Sequence, residues 1–67
     1  MSEIDALRAE IKKLSVRATT AKMNLHDLSE ELPLNWQTIV DVAQATYNAF
    51  KALDEARIKL KAMEAAA

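Results

Sequence analysis

The chain has no cysteine, no glycine and a single proline. Without cysteine there are no disulfides, no thiolate metal sites, no thiolate-held iron–sulfur cluster and no cysteine nucleophile. Without glycine, phosphate-cradling loops and nucleotide fingerprints are excluded, along with most routes to a positive-φ turn. Aromatic residues amount to one Trp, one Tyr and one Phe. Neither sign of charge dominates: 9 basic and 10 acidic residues leave a net charge of -1, so no excess positive charge drives binding to nucleic acid. No apolar run approaches the roughly 20 residues needed to cross a bilayer. The opening MSEIDALRAE has no cationic start followed by an apolar core, and a soluble cytoplasmic protein is expected.

What is present is helical periodicity. Ile4, Leu7, Ile11, Leu14, Ala18, Ala21, Leu25, Leu28 and Leu32 recur at alternating steps of three and four, an unbroken heptad seam. Ser2 followed by Asp5 fits a capping box. Pro33 lacks an amide hydrogen and turns the residue before it away from helical geometry, so the first helix is expected over 3–32. Asn35 is expected to cap a second helix at 36–63 through its side chain, with Leu34 and Ile39 at the positions of a hydrophobic staple. The core column of that helix is Ile39, Thr46, Leu53 and Leu60. Ala43 and Phe50 flank it on one side, and Val42, Ala49, Ala56 and Met63 on the other, so the apolar stripe is wider than one seam requires.

A connection as short as 33–35 forces the helices antiparallel. Residues 1–67 then form one helical-hairpin domain, with a frayed alanine tail at 65–67. Folding about Leu34 sets Leu25 near Ala43, the small pair Ala18 and Ala21 near Phe50 and Thr46, Leu14 near Leu53, and Leu7 near Leu60. Ordering so short a chain costs on the order of 100 kcal/mol, and there are few large apolar side chains to offset it. Two hairpins are therefore expected to associate as a four-helix bundle homodimer.

Few residues suggest chemistry. His26 shares a helix face with Met23 and Glu30, with Asp27 beside it, and a Met, His and carboxylate set suits a transition metal if symmetry pairs two copies. One histidine supplies one good ligand, and His26 falls at an outward heptad position where a solvated polar residue is ordinary, so no metal or other cofactor is assigned. The Glu-x-x-His motif of di-iron bundles is absent, because Met23 stands where its Glu would be. The hydroxyls of Ser15, Thr19 and Thr20 have no histidine within a turn, and no enzymatic activity is expected. Asp54, Glu55, Arg57 and Lys59 read as surface ion pairs of the second helix.

Charge placement says more. Between Lys22 and Lys51 there is no Lys or Arg, while Asp27, Glu30, Glu31 and Asp41 lie there, so the turn end is acidic. That pattern serves either to set antiparallel copies in register or to steer a basic partner. Trp36, Val40 and Tyr47 lie beside the main stripe of the second helix, and Val16 and Met23 share an outward column of the first. Met23, His26, Asp27, Glu30, Trp36 and Tyr47 are the candidate partner-binding residues. Tyr47 is also placed to be buried by a second copy, and Trp36 to plug the open end of the core.

The string R-A-T-x-A-K-M-x-L-H-D-L over Arg17–Leu28, then E-x-L-P, Trp36, and V-A-x-x-T-Y-x-A-F over Val42–Phe50, resembles the Rop-like family of small proteins encoded among bacterial nitrogen-fixation genes. The resemblance covers Ile4 to Leu60. It implies a self-associating antiparallel hairpin, an accessory role around nitrogenase or its cofactor assembly, and no established activity. The positions shared with the family fall on Arg17, Lys22, Met23, His26, Asp27, Pro33, Trp36 and Tyr47. Rop-type bundles bind paired RNA hairpins through a polar and basic helical face, for which Arg8, Lys12, Lys13 and Arg17 are the candidates here. The slightly negative net charge, and a turn half without Lys or Arg, make RNA the second reading.

Overall fold

The computed structural model describes residues 2–66. Helix α1 spans Glu3–Glu31, a 3₁₀ turn spans Trp36–Thr38, and helix α2 spans Ile39–Ala66; among the described residues there is no strand. Of the expected tail, Ala65 and Ala66 belong to α2, while Ala67 lies outside the described residues. The two helices lie side by side in a rod of 51 × 16 × 13 Å.

Helix α1 begins where the capping pattern places it. The Ser2 hydroxyl accepts from the Asp5 amide at 3.1 Å, satisfying one of the amides that no helical carbonyl reaches. The Asp5 carboxylate lies 3.9 Å from the Arg8 guanidinium. At the other end Leu32 leaves helical geometry with ψ 141, as the residue before a proline must. The Leu32–Pro33 peptide is cis.

The turn is built differently from the expectation. Asn35 has φ 60 and ψ 23, the left-handed region, and its side chain makes no capping hydrogen bond. Its carbonyl does the work instead, accepting from the Thr38 amide at 3.0 Å and the Thr38 hydroxyl at 2.7 Å. In a chain without glycine, asparagine is the residue that adopts this conformation at least cost, because its short polar side chain tolerates it. The second helix consequently enters through a 3₁₀ turn and becomes α-helical at Ile39 rather than at Trp36. Leu34 stays 68% exposed, so the expected staple with Ile39 buries little.

The seam of α1 is covered from Ile4 through Leu28, while Leu32, in the turn, is exposed. Its fully covered members are Leu7, Ala18 and Leu28, joined from α2 by Leu53. On α2 the covered residues are Val42, Thr46, Ala49, Ala52, Leu53, Ala56, Leu60 and Met63. The expected column thus divides. Thr46, Leu53 and Leu60 face α1 with the Val42, Ala49, Ala56 and Met63 flank, whereas Ile39, Ala43 and Phe50 remain exposed in the single hairpin. A helix presents only one flank to a single neighbour, and the turn rotates α2 so that the Val42 side is presented.

Small residues set the spacing at mid-length. Ala18 is 1% exposed, and the Thr46 hydroxyl, which donates to the Val42 carbonyl at 2.8 Å, also lies 3.2 Å from the Ala21 carbonyl across the interface. The far end is closed by the Arg8 guanidinium on the Glu64 carboxylate at 2.7 Å. Both links fit the expected antiparallel register.

Two stability predictions follow from this packing. Leu53→Ala removes the most deeply covered large side chain of α2 and should cost about 2–4 kcal/mol in urea unfolding followed by circular dichroism. Ile58→Ala, on the solvent side, should stay within about 0.5 kcal/mol. At the turn, Asn35→Ser keeps a good cap but a poor left-handed residue and should destabilise by about 1 kcal/mol. Asn35→Gly should not destabilise, and equal melting of Asn35→Ser and wild type would show that the side chain caps after all.

Candidate functional site

The acidic turn end carries the clearest side-chain cluster. Helical spacing stacks His26 one turn before Glu30, and His26 Nε2 lies 3.2 Å from the Glu30 carboxylate, while Nδ1 is 3.7 Å from that of Asp27. The imidazole is therefore held between two carboxylates, and the contact becomes an ion pair whenever the ring is protonated. All three side chains are about two-thirds exposed, where a pair of this spacing stabilises a helix by only about 0.3–0.5 kcal/mol. The cluster contributes little to holding the fold together. Below it, the His26 carbonyl accepts from the Ser29 hydroxyl at 2.7 Å.

Met23 lies one turn before His26 and is 59% exposed. An uncovered thioether beside a carboxylate cluster presents a soft apolar contact within an acidic field. Among the described residues no group of three or more His, Cys, Asp or Glu side chains is arranged to hold a metal ion.

Trp36 and Tyr47 stand on other elements. Both are exposed, but they stand on the 3₁₀ turn and on α2, and the polar contacts of His26 are confined to α1. The six candidate partner-binding residues thus separate into a set on α1 (Met23, His26, Asp27, Glu30) and a set on the second helical segment (Trp36, Tyr47).

The four candidate RNA-binding residues are also divided. Arg8 is engaged by Glu64 and Asp5. Lys13 and Arg17 line a shallow groove with Ala6, Ala9, Glu10 and Leu14, on the flank of α1 away from the one that the spacing of Arg8 and Lys12 defines. The Arg8–Glu64 link was not visible in sequence, because it joins residues from opposite ends of the chain; the antiparallel register is the only signal that finds it.

Comparison with known proteins places this geometry. The sequence model of the Rop-like family matches residues 2–65. A UPF0437 protein of Azorhizobium caulinodans is 66% identical over 67 residues, covering 100% of this chain and 97% of that protein. A Frankia alni relative, described as a "UPF0437 protein in nifX-nifW intergenic region", is 45% identical over 49 residues, covering 70% of this chain and 60% of that protein. Among solved structures, the NMR structure of a structural-genomics target superposes with a TM-score of 0.87 at 48% identity, over 96% of this chain and 92% of that one. With its helical hairpin and a family match running almost from end to end, the chain belongs to the Rop-like family.

Proposed function

We propose that this protein is a non-enzymatic, homo-oligomeric helical interaction protein of the cytoplasm, serving nitrogen fixation through protein–protein contacts with nitrogenase or the proteins that assemble its cofactor. The observation that carries the reading is the exposed set Met23, His26, Asp27 and Glu30 on α1. It is a soft apolar contact and three polar groups that neither the core nor the helix ends require. The relative between nifX and nifW supports the setting.

Physically, the acidic turn end offers steering. From Lys22 to Lys51 the chain has no intervening Lys or Arg, so a basic surface on a partner is drawn to this end and away from the mixed charge of the termini. Contacts of this kind act mainly on association rate and weaken with salt. Met23 then supplies short-range contact area once the surfaces meet, and its flexible side chain adapts to the partner's shape.

Purified nitrogenase components and cofactor-assembly proteins, titrated against the immobilised protein, test this. Asp27→Lys combined with Glu30→Lys should lower the association rate with the true partner at least tenfold at low salt, and raising the salt should narrow the gap. A bound partner whose kinetics the double reversal leaves unchanged would overturn the reading.

A further inference from the structure

Between the helices, on the flank of α2 away from Val40 and Tyr47, a groove of about 210 Å³ is lined by Ala21 and Asn24 of α1 and by Asp41, Val42, Ala45 and Thr46 of α2. Ala45 is two residues from Tyr47 and five from Val40, which sets it well round the helix from both. Ala21, Val42 and Thr46 are half-buried and form the floor, whereas Asn24, Asp41 and Ala45 are exposed and form the rim. We propose that this groove receives an arginine side chain of a partner protein, its stem on the floor and its guanidinium between the Asp41 carboxylate and the Asn24 side-chain carbonyl. The inference rests on the reading of the acidic turn end as a protein-docking end, and it adds a contact half a turn round α1 from His26.

Size narrows the occupant. Sites that hold a small-molecule ligand measure roughly 300–1,000 Å³, and this groove is smaller. A single extended side chain is the occupant of matching size. The floor offers it apolar groups and no free donor, because the Thr46 hydroxyl donates to the Val42 carbonyl at 2.8 Å with the Ala21 carbonyl at 3.2 Å. A methylene stem laid there covers apolar surface and takes no hydrogen bond away from the floor.

Charge and hydrogen bonding select arginine. Among the described residues Asp41 enters no ion pair, and the Asn24 side chain makes no hydrogen bond. Lys22 is half a turn round α1 from Asn24. Arg17 shares the Asn24 flank but stands two turns away, about 10 Å along the axis, where its field is largely screened at physiological ionic strength. Glu31, seven residues beyond Asn24, continues the same face toward the turn, so the local field favours a cation. Asn24 and Asp41 stand on opposite walls of the groove, and a planar guanidinium with five N–H donors can serve both acceptors at once. A lysine ammonium is a compact and more strongly hydrated point charge, less suited to a shallow apolar groove. A partner's carboxylate would meet Asp41 like charge on like.

The test uses N-acetyl-arginine-amide, titrated at physiological ionic strength into isotope-labelled protein and followed by the amide shifts of each residue. Binding in the millimolar range is expected, with the largest changes at Asn24, Asp41 and Ala45 and at the Asn24 side-chain amide. N-acetyl-lysine-amide should bind at least threefold more weakly, and N-acetyl-citrulline-amide, which keeps the shape and loses the charge, should give no saturable response. Asp41→Asn should weaken the arginine probe at least fivefold. Ala45→Leu, which fills the groove and keeps its charge, should do the same with the helical circular dichroism unchanged, while Glu30→Gln should alter binding less than twofold. Equal losses from Asp41→Asn and Glu30→Gln, equal binding of the arginine and lysine probes, or no saturable response would overturn the inference. So would a change in sedimentation on Ala45→Leu, because a second copy would then be covering the groove. If the probe binds here but charge reversal at Asp27 and Glu30 leaves the partner's kinetics unchanged, the reading of the His26 cluster fails and the groove stands. If that reversal slows the partner and the probe ignores the groove, this inference alone fails.

Discussion

A helix in a two-helix hairpin can turn only one flank toward its partner, and this chain places apolar residues on two flanks of α2. The turn decides between them. Asn35 in the left-handed region, followed by a 3₁₀ turn, brings the Val42–Thr46–Ala49–Leu53 flank against α1. Three features accompany that packing. The Ala18 and Ala21 layer accommodates Thr46 closely, Arg8 reaches Glu64 at the far end, and Trp36, Val40, Ala43, Tyr47 and Phe50 are left facing water.

The two exposed features therefore answer different needs. The stripe on α2 is continuous, apolar and periodic, the pattern that another helix covers. The His26, Asp27 and Glu30 cluster is polar and exposed, and pairs of its kind contribute little to stability. Trp36 and Tyr47 lie on the side of the stripe. Both stand exposed on the second helical segment, whereas Met23, His26, Asp27 and Glu30 stand on α1.

Much of this was legible in the sequence. The heptad steps from Ile4 to Leu28 and the single proline are strong local signals, so the hairpin, its antiparallel sense and the Ser2 cap could be read directly. The flank of α2 that meets α1 was not legible. Ile39, Thr46, Leu53 and Leu60 belong to two overlapping seams, and the choice depends on a backbone conformation at Asn35 that competes with the capping role its side chain suggests. The candidate site was legible as residue types: the spacing of His26 and Glu30 placed them together. The division of Arg8 and Lys12 from Lys13 and Arg17 also follows from helical spacing, but the neutralisation of Arg8 by Glu64 needed the tertiary register.

The apolar stripe of α2 that the hairpin leaves uncovered is the centre of this account, and if a second copy covers it, as the homo-oligomeric reading proposes, the folded state depends on chain concentration. A hairpin that gains stability by associating melts at a midpoint that rises with concentration, whereas a self-sufficient hairpin melts at one temperature. The most direct measurement is thermal unfolding by circular dichroism across about two orders of magnitude in concentration. The account predicts a midpoint that climbs steadily over that range. A midpoint that does not move, in a protein that melts cooperatively as a single chain, would contradict it.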